Sequence, residues 1–444
     1  MHRFLSTTVL VTLLSFGMAA ENSSVEEYLK AALQISSHEI MTDIMELCHE
    51  KYTGRLTGTP GYNLAADWLS GRLASLGVQP AISGSFFQDF PNPYTLVLDS
   101  GDLILHLPVG RGECVDRPYV YEKEFIPGST SDSGRVKAEV IYVGYGITAP
   151  ELGYDDYSGV DVRGRIVLME PEVPVSADDD AARFKQWRPY SFHRYKVENA
   201  VRHGAIGMLY NYHIANPNCR YIPGFLLSYV GERVVSDLFA GSGRKHNKVL
   251  AGIDRRLRPD SFSLGKKVTL ANSTEHHSEG IGRNVIGIIP GNDPLLGSEA
   301  VAFGSHLDHL GMNHLMMPGA NDNASGVAVM LAVVGAIQKA GYRPRRSLLF
   351  FFFGAEEQGV AGSEYYLNHP VMPNEKLKAF FNMDGVGRGD RLVVLAARNF
   401  PDLENLLNRV NGRWVHRQLR MHSFHNRARP RLDAARFLWA GVPT

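Results

Sequence analysis

Hydrophobic residues recur every three or four positions near the start of the chain, and this pattern predicts two helices. The strings MTDIMELCHEKYTG and NLAADWLSGRLASLG carry it, and each ends at a glycine, a common helix end. From about Tyr94 to Leu264 the pattern changes to short β-branched runs separated by glycine, proline and aspartate, around one helical segment, RYKVENAVRHGA. The pattern therefore predicts a separate, mostly β unit in the middle of the chain.

The C-terminal part alternates between apolar runs of strand length and segments with helical periodicity. The successive segments are NVIGIIPG, EAVAFGSHLDH, SGVAVMLAVVGAIQKAG, RRSLLFFFFGAEE, VAGSEYYLNH and LKAFFNMDG. Alternating strands and helices favour a largely parallel sheet with helices on both faces. We therefore predict an α/β fold with a mostly parallel, mixed sheet.

Composition excludes several classes of function. The 444 residues include 46 basic and 46 acidic side chains, so the formal net charge is zero and nucleic acid is not an expected partner. The three cysteines, Cys48, Cys114 and Cys219, form no C-x-x-C pair and predict neither a disulfide framework nor a thiolate zinc site. Any metal site would have to use histidines and carboxylates, and disulfide pairing stays open.

The first twenty residues have the layout of a cleavable secretory signal. His2 and Arg3 precede an apolar run from Val9 to Phe16, and small residues follow. A buried N-terminal helix is the alternative. No later segment approaches about 18 uninterrupted apolar residues, so we expect no stable membrane insertion. The sequence predicts a secreted or periplasmic protein.

Residues able to bind metal follow each predicted strand of the C-terminal part, where an open α/β sheet borders its ligand crevice. The candidates are His306, Asp308, Asp322, Glu356, Glu357 and Asp384. Each alone has an ordinary explanation, such as a helix cap or a buried histidine. Together they predict a metal site, because buried strands rarely end in unpaired charge without a cation that offsets the desolvation.

The candidate residues have the donor chemistry of a two-metal hydrolytic site. Zn²⁺ is the expected ion, and Co²⁺ or Mn²⁺ suits the same groups. One carboxylate must bridge the two ions, which lie about 3.5–4 Å apart in such sites. Neighbouring side chains on an extended chain point in different directions. One member of the Glu356–Glu357 pair can therefore bind metal while the other serves as general base.

Four strings in this order resemble the motifs of the clan MH zinc exopeptidases, the family of bacterial leucyl aminopeptidase, aminopeptidase Y and glutamate carboxypeptidase II. They are GSHLDHLG, PGANDNASGVA, FGAEEQGVAGSEYY and NMDGVG. The resemblance covers about residues 40 to 90 and 280 to 444. The middle segment, with YVGYGI and YDDYSGVDVRGRIVLM, is similar to the protease-associated domain that some members carry as an insertion.

The resemblance implies roles for the candidate residues. His306 and Asp384 would bind one ion, Asp322 would bridge, and Glu357 would bind the second ion.

Three further residues take roles from the same resemblance. Glu356 would be the catalytic base, and Asp308 would orient His306. Asn323 falls where the family has a strained, often cis, peptide bond.

The motifs also imply a domain order. Residues 1–20 form the signal peptide, 21–95 the first part of the peptidase domain, 96–274 an inserted β-rich lid of the protease-associated type, and 275–444 the metal-binding part of the peptidase domain.

Two departures from the family pattern concern the end of the chain. Ala434 stands where the family commonly has a histidine, which leaves Asp433 as a possible supporting carboxylate. The chain stops at Thr444, before the family's next strand, its His-Thr pair and its closing helix, so we expect a C-terminally incomplete copy. The Glu357 ion then lacks its imidazole, and His416, His422 and His425 are the possible substitutes.

The resulting expectation is a secreted, zinc-dependent exopeptidase, an aminopeptidase in particular, that cleaves the N-terminal peptide bond of peptides or proteins by metal-hydroxide attack. The alternatives are a zinc acyltransferase of the glutaminyl cyclase kind, a glutamate-type carboxypeptidase and a non-catalytic peptidase-like binding protein. The sequence indicates neither the preferred side chain nor the oligomeric state.

Overall fold

The structure is a computed structural model that describes residues 35–110, 113–212, 217–422 and 432–444. The predicted signal peptide and His425 lie outside these residues.

Within the described residues, the α-helices are α1 Ser37–Leu47, α2 Pro60–Ser75, α3 Ala181–Trp187, α4 His193–Arg202, α5 Glu232–Phe239, α6 His246–Arg256, α7 Ser325–Lys339, α8 Ala361–Asn368, α9 Pro401–Val410 and α10 Leu432–Trp439. The strands are β1 Gln79–Pro80, β2 Phe87–Pro91, β3 Tyr94–Val97, β4 Asp102–Gly110, β5 Glu113–Pro118, β6 Phe125–Pro127, β7 Gly134–Tyr142, β8 Thr148–Ala149, β9 Tyr154–Asp155, β10 Ile166–Met169, β11 Gly207–Tyr210, β12 Leu226–Val230, β13 Phe262–Asn272, β14 Thr274–His277, β15 Ile281–Ile289, β16 Ala300–His306, β17 Met312–Asn313, β18 Leu315–Met316, β19 Ser347–Phe353, β20 Leu377–Asn382, β21 Leu392–Val394 and β22 Leu419–Met421.

The described residues divide into two compact units, and the first contains those within 35–92, 279–311 and 316–444. Its central sheet has the strand order β1-β15-β19-β16-β20, with β2 also paired to β15. Strand β16 is parallel to both β19 and β20, whereas β15 is antiparallel to β19. The predicted α/β class, with a mixed sheet and flanking helices, is confirmed. The prediction that the sheet is mostly parallel is wrong, because only two of its five strand pairings are parallel, those of β16 with β19 and with β20.

The apolar run of β19 alternates between the two faces of this sheet, as the period of two in a strand requires. Leu348, Phe350 and Phe352 pack in one core cluster with residues of α1, α2 and α7. Phe351 and Phe353 pack in a second cluster with residues of α8 and α10. Both faces of the strand are thus buried, which explains why the run SLLFFFF has no polar residue after its first serine.

The second unit contains residues 93–278 and 312–315. Its main sheet has the order β5-β4-β13-β7-β10-β11-β12-β6, with β7, β10, β11 and β12 parallel to one another and the other pairings antiparallel. It has a core of its own, which includes Val167, Met208 and Tyr229. The unit therefore begins three residues before and ends four residues after the predicted insertion of residues 96–274, and it also takes in residues 312–315, which include β17 and the start of β18.

In the part of the chain that the structure describes, one helical stretch, Ala320–Lys339, is long and apolar enough to cross a membrane. Of its most apolar stretch, 78% is buried inside the structure, as is typical of a core helix. The cysteines Cys48, Cys114 and Cys219 are all free.

Candidate metal centre

The candidate residues lie at the carboxyl ends of the parallel strands. His306 is the last residue of β16, Glu356 and Glu357 follow the end of β19, and Asp384 follows the end of β20. Asp322 lies in the turn Ala320–Ala324 that leads into α7. Because these strands run in the same direction, their ends meet at one edge of the sheet.

One group of potential ligands consists of His306, Asp322 and Asp384. Their ligand atoms all lie within 4.8 Å of one another. His306 Nε2 lies 3.1 Å from Asp322 Oδ1 and 3.6 Å from Asp384 Oδ2. This nitrogen is buried, yet it makes no hydrogen bond to any described residue. A buried ring nitrogen that faces two carboxylates without a hydrogen bond is suited to a cation.

A second group consists of His309, Asp322 and Glu357, whose ligand atoms also lie within 4.8 Å of one another. His309 Nδ1 lies 2.8 Å from Glu357 Oε1. Sequence reasoning missed His309, although it stands in the same HLDH string as His306. Its position could have been noticed, since the string places two imidazoles three residues apart just after a buried strand.

Asp322 belongs to both groups, so the two overlap at one carboxylate. Its side chain is 54% exposed, whereas those of His306 and Asp384 are 1% and 13% exposed. A carboxylate has two oxygens and can bind two cations at once. The arrangement defines a candidate dinuclear metal centre in an α/β protein.

The buried residue Asp308 contacts both His306 and the turn that carries Glu356 and Glu357. The His306 ring nitrogen Nδ1 is 3.1 Å from the Asp308 carbonyl oxygen and 3.4 Å from its carboxylate Oδ1. The same carboxylate accepts hydrogen bonds from the backbone N–H groups of Glu356 and Glu357, both at 3.2 Å. Asp308 thus connects the end of β16 to the turn after β19. The sequence predicted only its contact with His306 and not its contacts with the backbone of Glu356 and Glu357.

The loop that carries Asp322 is fixed by its neighbour, Asn323. The peptide bond between them is cis, as the family resemblance implied. The buried Asn323 side chain donates hydrogen bonds to Ser305 Oγ and to the Met383 carbonyl oxygen, and its own oxygen accepts from the Gly326 N–H. These bonds tie the loop to residues next to His306 and Asp384.

Arg55 is a second residue that sequence reasoning missed. Its guanidinium is fully buried and donates hydrogen bonds to four backbone carbonyls, those of Leu47, Leu307, Pro318 and Gly319. These carbonyls belong to the end of α1, the residue after His306 and the loop before Asp322. A single arginine in the string YTGRLTG gave no pattern from which this role could be predicted.

Carboxylates dominate the electrostatics of the centre. Burial disfavours the charged form of His306, but Asp308, Asp322 and Asp384 outweigh it and raise the pKa of the ring well above its ordinary value. Burial alone would raise the pKa of Asp322, but the contact with His306 and the charges of His306, His309 and Arg55 together lower it. The same carboxylates make the position beside the ring favourable for a positive charge.

Burial raises the pKa of both glutamates that follow β19, Glu356 and Glu357. Burial raises the pKa of Glu356 well above its ordinary range, and the charges of Asp433 and Glu357 add to this. Burial also raises the pKa of Glu357, although the hydrogen bond from His309 partly offsets it. Asp433 is buried in α10, and burial raises its pKa to about 7.

The structure brings His306, Asp308, Asp322, Glu357 and Asp384 together through these contacts, and Glu356 adjoins them in sequence. Among the described residues, neither His416 nor His422 belongs to a group that could hold a metal ion. The imidazole beside Glu357 is instead that of His309.

Comparison with known proteins bears on the class of this fold. Residues 284–444 match the model of peptidase family M28. The chain is 38% identical over 150 residues to leupeptin-inactivating enzyme 1 of Streptomyces exfoliatus, covering 33% of this chain and 32% of that protein. It is 26% identical over 341 residues to an aminopeptidase of Pseudomonas aeruginosa, covering 75% of this chain and 54% of that protein. The chain thus spans about half or less of the length of these relatives.

Solved structures show the same fold. The aminopeptidase from Aneurinibacillus sp. strain AM-1 superposes with a TM-score of 0.59 at 20% identity, covering 92% of this chain and 84% of that chain. A zinc aminopeptidase from Bacillus subtilis superposes with a TM-score of 0.57 at 18% identity, covering 93% and 84%. Residues 284–444, the segment that matches the model of peptidase family M28, contain every candidate ligand named above.

Proposed function

We propose that this chain is a zinc-dependent exopeptidase that acts as an aminopeptidase on peptides or proteins. The observation that carries the proposal is the sharing of Asp322 between two groups of ligand atoms, each within 4.8 Å. The match to the M28 model and the aminopeptidases with the same fold support this assignment.

The donor set fits zinc. His306, Asp322 and Asp384 offer one imidazole and two carboxylates, the nitrogen and oxygen ligands that Zn²⁺ takes in catalytic sites, and Co²⁺ or Mn²⁺ suits the same groups. Bound zinc supplies a Lewis acid for the scissile carbonyl and a nucleophile at neutral pH. We propose two ions, because Asp322 and Glu357 reach a second position.

Glu356 is the general base in this proposal. It lies next to the ligand Glu357, and its backbone N–H is held by Asp308 Oδ1 at 3.2 Å, so its position relative to the centre is fixed. Burial raises the pKa of its carboxyl, which makes the ionised group a stronger base. Glu356 would take a proton from the attacking water and deliver it to the amine that leaves.

The remaining parts of the proposal concern export and the second unit. We propose that residues 1–20 direct the protein to the periplasm or the medium, a segment that lies outside the described residues. We also propose that the unit of residues 93–278 is a protease-associated domain inserted in the peptidase sequence, on the basis of its motifs and its own core.

The replacement Glu356→Gln tests the mechanism. We expect the variant to bind as much metal as the wild type and to lose at least about 100-fold in kcat, because glutamine keeps the shape of the side chain and cannot accept the proton. The measurements are metal content by mass spectrometry and hydrolysis of leucine anilide. Near-normal turnover in a metal-replete variant would refute the role of Glu356.

A substrate panel tests the reaction class. Wild-type protein is assayed with leucine anilide, with a peptide that begins with glutamine and with a peptide that ends in glutamate. Release of the N-terminal residue supports the aminopeptidase. Cyclisation of the glutamine peptide would identify a glutaminyl cyclase, and loss of the C-terminal glutamate would identify a carboxypeptidase. Absence of all three with metal bound would favour a binding protein.

A further inference from the structure

The backbone has an unusual conformation on both sides of the turn that carries Glu356. Ala355 precedes Glu356 with a φ of +56°, and Val360 ends the turn with a φ of +57° and a ψ of 35°. Residues with a Cβ adopt this left-handed region at an energetic cost, and β-branched residues such as valine are outliers there. Glycine, which would adopt it freely, stands at neither position.

We infer that Ala355 and Val360 are positioning residues that fix the turn carrying Glu356, the proposed general base. The inference rests on the proposed function, in which Glu356 accepts a proton. Strained backbone persists only where the surrounding structure enforces it, and it clusters at sites where a reactive group must be held in place. The left-handed region is small for a residue with a Cβ, whereas glycine also populates other regions. The side chains at 355 and 360 therefore restrict the turn more than glycine would.

Hydrogen bonds hold both strained residues in place. The N–H of Ala355 donates to Thr57 Oγ1 at 2.7 Å, and its carbonyl oxygen accepts from the Ala361 N–H at 2.9 Å. The N–H of Val360 donates to the Glu356 carbonyl oxygen at 2.8 Å. These bonds offset the cost of the left-handed conformation, so it persists in the folded chain.

The two strained angles control where the turn leads. The φ of Ala355 sets the direction in which the chain leaves β19 for Glu356, and the φ of Val360 sets the direction in which the turn enters α8. Both ends of the turn, and with them the position of the Glu356 side chain, depend on these angles. A general base must lie within hydrogen-bond reach of the proton that it accepts, so a displacement of about 1 Å can lower the rate about 100-fold.

The competing interpretation is that these two side chains only fill space. Ala355 is fully buried and Val360 is half-buried, so replacing either one also removes packing contacts. Packing alone predicts similar losses in Val360→Ala and Val360→Gly. Restriction of the backbone predicts a loss only with glycine, because alanine keeps a Cβ and with it the small left-handed region.

The test compares Ala355→Gly and Val360→Gly with two controls, all in the full chain with zinc in excess. The first control, Val360→Ala, removes the branched side chain and keeps a Cβ. The second, Leu257→Gly, frees a left-handed residue of φ 51° at the end of α6 in the second unit. We expect kcat for leucine anilide to fall at least about 10-fold in both glycine variants of the turn and to change less than about twofold in the controls, with KM little changed throughout.

Two further measurements separate positioning of Glu356 from a general loss of structure. In a Glu356→Gln background, the same glycine replacements should change the residual rate by less than about twofold, because the group that they position is absent. Hydrogen–deuterium exchange of residues 354–362 should be at least about 10-fold faster in the two glycine variants than in the wild type and unchanged in Val360→Ala. The exchange measurement does not depend on activity.

The inference falls if the glycine variants of the turn keep the kcat of the wild type, or if Val360→Ala loses as much as Val360→Gly. Unchanged exchange in the glycine variants would also overturn it. Hydrolysis that requires Glu356 and tolerates both glycine replacements would remove this inference and leave the proposed function intact. A wild type that hydrolyses no substrate but shows the expected exchange pattern would contradict the proposed function and leave the restriction of the turn supported.

Discussion

At the scale of single residues, the centre depends on one carboxylate more than on any other. Asp322 belongs to both groups of ligand atoms, whereas Asp384 belongs to one. The side chain of Asp322 is 54% exposed, and its Oδ1 lies 3.1 Å from His306 Nε2. Replacing Asp322 should therefore reduce metal binding at both positions, and replacing Asp384 at only one.

We expect Asp322→Ala to lose both ions and Asp384→Ala to retain the ion held by Glu357. The reason is that only the first replacement removes a ligand from both positions. Elemental analysis of the dialysed proteins checks this, with circular dichroism as a control for folding. Two ions per chain in Asp322→Ala would contradict the bridge.

At the scale of elements, the centre is assembled from loops that need a fixed support. Strands β16, β19 and β20 are parallel, so their carboxyl ends lie side by side. The loop with Asp322 has no strand of its own, and Arg55 and Asn323 hold it through buried hydrogen bonds. Buried donors of this kind stabilise because every partner is satisfied.

Arg55→Met is expected to lower the free energy of unfolding by at least about 3 kcal/mol, because it leaves several buried carbonyls without a donor. The control is Arg345→Met, which breaks an exposed ion pair with Asp293 and should cost less than about 1 kcal/mol. Urea unfolding followed by fluorescence measures both. Equal stability of the two variants would show that the buried arginine is not a structural support.

Much of the first unit could be predicted from sequence at this scale. The Phe-rich run predicted a buried strand and became β19, and the apolar segment SGVAVMLAVVGAIQKAG became α7. The order of motifs indicated which segments carry ligands. The pairing of β15 antiparallel to β19 could not be predicted, because an apolar run buried on both faces has no feature that sets the direction of its neighbour.

At the scale of the whole molecule, two units with separate cores make up the described chain. The second unit contains a fully buried lysine, Lys196. Lys196 in α4 is fully buried and donates a hydrogen bond to the Tyr145 carbonyl oxygen. Burial lowers its pKa to about 7, although the charge of Asp156 partly opposes this.

This lysine makes stability depend on pH. Its pKa is about 7 in the folded chain and about 10.4 in an unfolded one, so between these values the unfolded chain binds more protons. Stability should therefore rise with pH above 7, by up to about 1.4 kcal/mol per pH unit, and the gain should vanish below 7. Lys196→Met should lack this rise. Urea unfolding of both proteins from pH 7 to 10 checks it, and parallel curves would disprove it.

The sequence by itself determined the α/β class, the buried strands and the residues with metal-binding chemistry, because periodicity and donor type are local properties. Tertiary structure decided which donors meet. It placed His309, rather than the histidines near the end of the described chain, beside Glu357, and it made Asp322 common to two groups. Such meetings depend on strand direction and on buried bonds such as those of Arg55, between residues up to 264 positions apart. The local sequence pattern cannot predict contacts between residues so far apart in the chain.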